Sequence, residues 1–324
     1  ASPKLVKRPG ALAGFDFSDV QAVNVMVDPG GSNAYDVTFK RLTAVAPGEA
    51  PGTSTTATST SAAPAPAESM QPRVQKLNGY IMRTSIPYID PDDADDYRAE
   101  MCLVDMYYPE NSTGFPTIVW FHAGGLRGGK RYIPGELRGK GVAIVAADYR
   151  LYPRAKAPEF LEDAAAAVAW VFDNIGKVGG DTNRIFVAGA SAGGYLTAML
   201  GLDKRWLAAH GIDANAIAGL GDLSGHAITH FSVRGERGIP GTRPVIDDLA
   251  PLYHVRGDAP PILLVTGDRE LEMLGRYEEN AYFMRMLKVA GHEDVSLHEI
   301  KGKDHGHLEA SAHPLLLEFV RTRD

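Results

Sequence analysis

From residue 115 onward the chain alternates short apolar runs with longer amphipathic ones. Thr117–Phe121, Val142–Ala147, Arg184–Ala188, Pro260–Val265 and Val295–Ile300 are each five or six residues long. They are rich in β-branched and aromatic side chains, bounded by turn residues, and too short for core helices, so each reads as a strand. Between them, Glu159–Asn174 reads as a helix with Phe160, Ala164, Val168 and Val171 on one face, and Gly194–Leu200 is helix-like. Strands that alternate with helices call for a mostly parallel central sheet with helices on both faces, an α/β fold.

The first quarter is different. Residues 47–74, above all Pro47 to Pro72, are dominated by Ala, Pro, Ser, Thr and Gly with almost no large apolar side chain, and read as a linker. Before it, Val20–Val27 and Tyr35–Lys40 read as two strands around the Asp28–Asn33 turn. Two strands make no independent core, so residues 1–46 form a segment to which no motif assigns a role. The reading is therefore segment 1–46, linker 47–74 and an α/β domain over 75–324.

The chemistry concentrates where strands end. Gly189-Ala190-Ser191-Ala192-Gly193 lies between an apolar strand and a helix-like run, the sequence form of a nucleophile elbow. A turn that sharp has no room for side chains two residues either side of the serine. It leaves the Ser191 hydroxyl exposed at a helix N-terminus, where free N–H groups favour a developing oxyanion. Upstream, the Thr117–Phe121 strand ends in His122-Ala123-Gly124-Gly125-Leu126-Arg127-Gly128-Gly129, a glycine loop able to offer successive backbone N–H groups to an anion. It lacks the spacing of a phosphate-binding loop.

Of ten histidines, His305 stands out because it follows the last strand in the order nucleophile, acid, histidine; His307 is its nearest rival. The acid should follow the strand ending near Val265, where Asp268 and Glu270 compete; either can orient the imidazole. No third and fourth ligand accompanies His305 and His307 at zinc spacing.

Phe121–Gly125, Asp148–Pro153, Gly189–Gly194 and Asp304–Gly306 together resemble the hormone-sensitive-lipase-like and feruloyl-esterase-like branches of the α/β-hydrolase superfamily, over residues 77 to 324. The resemblance implies the α/β-hydrolase fold and oxyanion donors at Gly124, Gly125 and Ala192, with Ala123 replacing a glycine not expected to donate. It places the acid at the end of the turn after the strand, which selects Glu270 over Asp268. It implies a serine carboxylesterase with a Ser191, Glu270, His305 triad, no cofactor and no metal, acting on short-acyl or plant-polysaccharide acetyl and feruloyl esters. The alternatives are another acyl-transfer enzyme on this scaffold, such as a serine peptidase, or a noncatalytic binding protein.

Composition narrows the remaining classes. With 324 residues, 44% of them hydrophobic, the chain can bury a large core, and a net charge of −7 gives no electrostatic basis for nucleic-acid binding. The expected partner is a small-molecule or carbohydrate ester. No apolar run approaches the about 20 residues that span a bilayer, nor does a basic-then-apolar leader open the sequence, so compartment and oligomeric state stay open. The lone Cys102 reads as a buried thiol. Arg150 and Asp163 read as a local ion pair, and the acidic run Asp90, Asp92, Asp93, Asp95 and Asp96 as a solvated loop lacking calcium-loop spacing. Trp120, Tyr132, Tyr195 and Phe231 are candidates for a pocket lining.

Overall fold

The computed structural model describes residues 73–323 apart from 91, 93 and 274. The 1–46 segment, its two expected strands and the linker up to residue 72 lie outside the described residues; 73 and 74 already belong to the first strand.

Among the described residues nine strands form one sheet: β1 (Arg73–Leu77), β2 (Tyr80–Pro87), β3 (Leu103–Pro109), β4 (Phe115–Phe121), β5 (Ala143–Ala147), β6 (Gly180–Ala190), β7 (Gly219–Leu223), β8 (Ile262–Gly267) and β9 (Val295–Ile300). Their order is β1-β2-β3-β5-β4-β6-β7-β8-β9. The first three pair antiparallel, β3 pairs antiparallel with β5, and every pair from β5 to β9 is parallel. Seven α-helices lie among the described residues: α1 (Asp96–Met101), α2 (Glu159–Asn174), α3 (Ala192–Leu202), α4 (Arg205–Ala208), α5 (Phe231–Glu236), α6 (Arg276–Val289) and α7 (Glu309–Arg321).

The period-2 pattern of the central strands assigns the two faces. Val119, Phe121, Val145 and Val187 point to one side and pack with α2, α3 and α6 through Phe160, Val168, Leu196, Phe283 and Leu287. Ile118, Trp120, Ile144, Phe186 and Ala188 point to the other and meet Leu316, Leu317, Phe319 and Val320 of α7. Both layers are fully buried, which is why β4 and β5 read as continuous apolar runs rather than alternating ones. The expected strands and the 159–174 helix are present. The sequence reading did not identify β1, β2, β3 and β7. The Gly219-Leu220-Gly221-Asp222-Leu223 strand gives little propensity signal, and its glycines are explained by packing: a Cβ at Gly221 would lie 2.6 Å from Leu316 and one at Gly219 2.7 Å from Phe319.

Cys102 is buried, and burial pushes its thiol up to about 12, so it is un-ionised at neutral pH. Asp92 closes a turn on Asp90, and Asp95 caps α1 through its bond from the Arg98 amide, so these carboxylates hold local backbone. Arg150 and Asp163 form a forked pair, Nε to Oδ2 at 2.7 Å and Nη2 to Oδ1 at 2.9 Å, while the Arg150 amide and Arg98 Nε also donate to Asp163. The pair ties the segment after β5 to α2. Removing one partner strands a buried charge, so Asp163→Ala is expected to cost about 3–5 kcal/mol. Urea unfolding measures this; a loss below about 1 kcal/mol would mean that the pair behaves as a surface bridge.

Candidate active site

The C-terminal ends of five strands, β4, β6, β7, β8 and β9, converge on one cavity. β6 runs into α3 through Ser191, which has φ 54° and ψ −111°. That conformation is costly for a residue with a side chain, and the surrounding glycines make it possible. A Cβ at Gly193 would lie 2.0 Å from the Phe121 carbonyl oxygen, and one at Gly189 would lie 2.6 Å from the Gly193 carbonyl carbon. Strand, turn and helix therefore close on one another only without side chains at these two places. The Ser191 amide donates to the Leu223 carbonyl at 2.8 Å, fixing the elbow to the end of β7.

The loop after β4 forms a second wall. Gly124 and Gly125 have φ of 123° and 64°. The turn bonds inside the loop come from the Arg127 and Gly128 amides, both to the Gly124 carbonyl at 3.0 and 3.1 Å. His122 supports it from below: its Nδ1 bonds the Ala123 carbonyl at 2.6 Å and its ring stacks on Tyr149. Burial lowers the His122 pKa, favouring the neutral ring. Ala192, the first residue of α3, is buried directly behind Ser191, where a helix has unpaired first-turn N–H groups.

Ser191 and His305 meet. His305 Nε2 lies 2.9 Å from Ser191 Oγ, and its Nδ1 lies 2.6 Å from Glu272 Oε1. The carboxylate facing the histidine is thus Glu272, and the expectation of Glu270 is corrected. After β8 the chain curls through a helical turn, with the Leu271 and Glu272 amides both bonded to the Asp268 carbonyl at 2.8 and 2.7 Å. That curl swings residue 272 back over Gly267 and leaves Glu270 exposed on the outside. Asp268 holds the curl in place, accepting from the Glu270 amide at 3.1 Å and from Gly302 at 2.9 Å. His307 is exposed and pairs with Asp304 at 2.6 Å.

Two further groups escaped the sequence reading. Glu272 Oε1 also accepts from the Met273 amide at 2.9 Å, and Oε2 accepts from the Gly267 amide at 3.0 Å and the Ser224 hydroxyl at 2.8 Å. Ser224 Oγ is also 3.2 Å from His305 Nδ1. Ser224 has φ 58°, and its carbonyl accepts from the buried Arg276 guanidinium. The available signal was the triplet Asp268, Glu270, Glu272 at a strand end; distance along the chain favours the middle member only if the loop is extended.

Of the four aromatic candidates, Phe231 lines the cavity. Trp120 and Tyr195 are fully buried in the core, and Tyr132 packs edge-on against Trp120.

Residues 104–222 match the BD-FAE family model. Esterase LipC of Mycobacterium tuberculosis is 30% identical over 214 residues, 59% of this chain and 53% of LipC. Carboxylesterase NlhH of the same organism is 37% identical over 103 residues, 30% of this chain and 32% of NlhH. The chain thus spans about half the length of LipC and about a third of NlhH in these matches. A solved structure described as a truncated form of carbohydrate esterase from gut microbiota superposes on 77% of this chain and 99% of its own, with TM-score 0.63 at 17% identity. Thermogutta terrifontis esterase 2 superposes on 76% of this chain and 94% of its own, with TM-score 0.57 at 23% identity. The chain has the α/β-hydrolase fold.

Within this fold the electrostatics of the carboxylate follow from its bonds. Burial alone would raise the Glu272 pKa, but the hydrogen bond and charge of His305 and the Met273 and Gly267 amides outweigh it and bring the carboxyl down to about 2. Glu272 is therefore ionised throughout the neutral range and can hold the imidazole with its proton on Nδ1, leaving Nε2 to accept from Ser191. Among the described residues no group of three or more His, Cys, Asp or Glu is placed to hold a metal, and no helix is long and apolar enough to cross a membrane.

Because the folded pKa lies below the ordinary 4.5, the Glu272 bonds stabilise the fold fully above that value and lose their contribution as pH falls toward about 2. The stability gap between wild type and Glu272→Gln should therefore be widest near pH 7 and narrow between pH 4.5 and 2. Urea midpoints across that range measure it, and a pH-independent gap would contradict the assignment. If the triad operates as drawn, Glu272→Gln lowers kcat by about 10⁴, Ser224→Ala by about tenfold, and Glu270→Gln little. An inactive Glu270→Gln with an active Glu272→Gln would reverse the roles of the two carboxylates.

Proposed function

We propose that this chain is a serine carboxylesterase working through Ser191, His305 and Glu272. The observation that carries this reading is His305 bridging the two others at 2.9 and 2.6 Å, with Ser191 and His305 in the wall of a cavity of about 400 Å³ that Gly124 and Gly125 also line. His305 Nε2 takes the proton of the Ser191 hydroxyl as Oγ attacks the ester carbonyl carbon. The oxyanion is stabilised by the amides of Gly124, Gly125 and Ala192, whose donors are fixed before reaction and need no reorganisation. Collapse expels the alcohol, which takes its proton from His305. Water activated by the same imidazole then cleaves the acyl-enzyme and releases the acid.

The esterase names of LipC, NlhH and the superposed structures support the reaction class. The carbohydrate esterase among them, together with the BD-FAE match, favours short-acyl or plant-polysaccharide acetyl and feruloyl esters as substrates. No cofactor is required by the chemistry.

A panel of p-nitrophenyl acetate, butyrate and longer esters, run beside acetylated and feruloylated sugars, tests the reading. Ser191→Ala should retain the fold and lose about 10⁴-fold or more in kcat, and adding His305→Ala should cost little further because the groups act as a unit. Turnover retained by purified Ser191→Ala would refute the assignment of the nucleophile.

A further inference from the structure

Arg127 stands in the wall of the reactive cavity, two residues beyond Gly125. The remaining wall is largely apolar, with Leu223, Phe231, Met273 and Leu308, and it carries one carboxylate, Glu309. Glu309 already has company: the Tyr132 hydroxyl donates to it, and His313 Nε2 lies 3.7 Å away. Arg127 has no carboxylate within 4.0 Å among the described residues. It is nonetheless held in place. Its Nε donates to Ser232 Oγ at 3.1 Å, and its guanidinium carbon sits 4.6 Å from the centre of the Tyr152 ring. Ser232 in turn donates to the Gly125 carbonyl, which ties the guanidinium to the glycine loop itself.

A guanidinium has five N–H donors in a planar fork suited to a carboxylate, and one of these five is committed here. Arg127 is solvent-exposed at the cavity wall, so a neutral ester gains nothing from it, whereas an ester with its own carboxylate can form charge-assisted hydrogen bonds to the guanidinium. The contrast is sharper because the chain as a whole carries −7, so general attraction for anions is absent and any preference must be local.

We propose that Arg127 is a carboxylate subsite and that the preferred substrates are esters bearing a free carboxylate, in the acyl or the alcohol half. This rests on the esterase reading. Arg127 touches the substrate and no reacting atom, so its effect is on selection between esters.

The test is kcat/KM for two matched pairs, in wild type and Arg127→Gln. One pair is p-nitrophenyl hemisuccinate with p-nitrophenyl acetate, and the other is 4-acetoxybenzoate with phenyl acetate. The ratio of anionic to neutral ester cancels any general damage to the enzyme. It should fall about tenfold or more in the variant for at least one pair, the scale of one charge-assisted hydrogen bond. A fall confined to the hemisuccinate pair places the carboxylate in the acyl half, and one confined to acetoxybenzoate places it in the alcohol half. Ratios equal in wild type and variant overturn the subsite. Wild type inactive on all four esters overturns the esterase reading instead. Should the variant fail to fold, wild type alone decides: raising salt from about 0.01 to about 1 M shrinks the screening length from about 30 to about 3 Å and should depress the anionic ratio, while a flat ratio refutes the proposal.

Discussion

The site depends on a steric constraint at residue 191. With φ 54° and ψ −111°, Ser191 occupies backbone space that costs on the order of 1–3 kcal/mol. The surroundings must over-determine it. They do so by bringing three backbones closer than side chains allow: Gly189 and Gly193 face each other across the turn, and Gly193 lies against the Phe121 carbonyl. The same contact sets the glycine loop, because that loop begins immediately after Phe121. Parallel pairing of β4 with β6, Phe121 opposite Gly189, is thus what puts the loop amides and the serine side by side. An added methyl at Gly193 would disturb nucleophile and anion pocket together.

The histidine and its carboxylate are positioned by a different means. Their loops lie at the ends of β9 and β8 and are joined by Asp268, whose amide donates to the Lys303 carbonyl at 2.7 Å and whose side chain accepts from Gly302. Gly267 allows this joint, since a Cβ there would sit 2.5 Å from the Lys303 carbonyl oxygen and 2.9 Å from Glu272 Oε2. Asp268 therefore acts on the site through loop geometry.

Legibility in the sequence followed how local each determinant is. Ser191 is readable because its glycines, strand and helix lie within a dozen residues, and His305 because strand order puts the last loop over the sheet edge. The central strands are readable because burial on both faces removes alternation. Glu272 is not, because its selection depends on a turn closed by two bonds to one carbonyl, and neither bond has a sequence signature. Ser224 is further from reach. Its place follows from β7, whose glycines serve packing against α7, and from the buried Arg276 that clamps its carbonyl.

The length of the acidic side chain fits that turn. Each Glu272 oxygen serves two donors, Oε1 from His305 and Met273 and Oε2 from Ser224 and Gly267, so the carboxylate is saturated on both sides. Four donors on one group suppress its protonation and also remove its rotational choices, leaving one orientation for the imidazole. Shortening the side chain by a methylene would withdraw the carboxylate from the histidine, from the serine hydroxyl, or from both, because the Gly267 amide fixes its other end. Glutamate suits a helical curl that carries the residue past the strand end before turning back. In this chain the acid, the curl and the glycine beneath it form one structural unit.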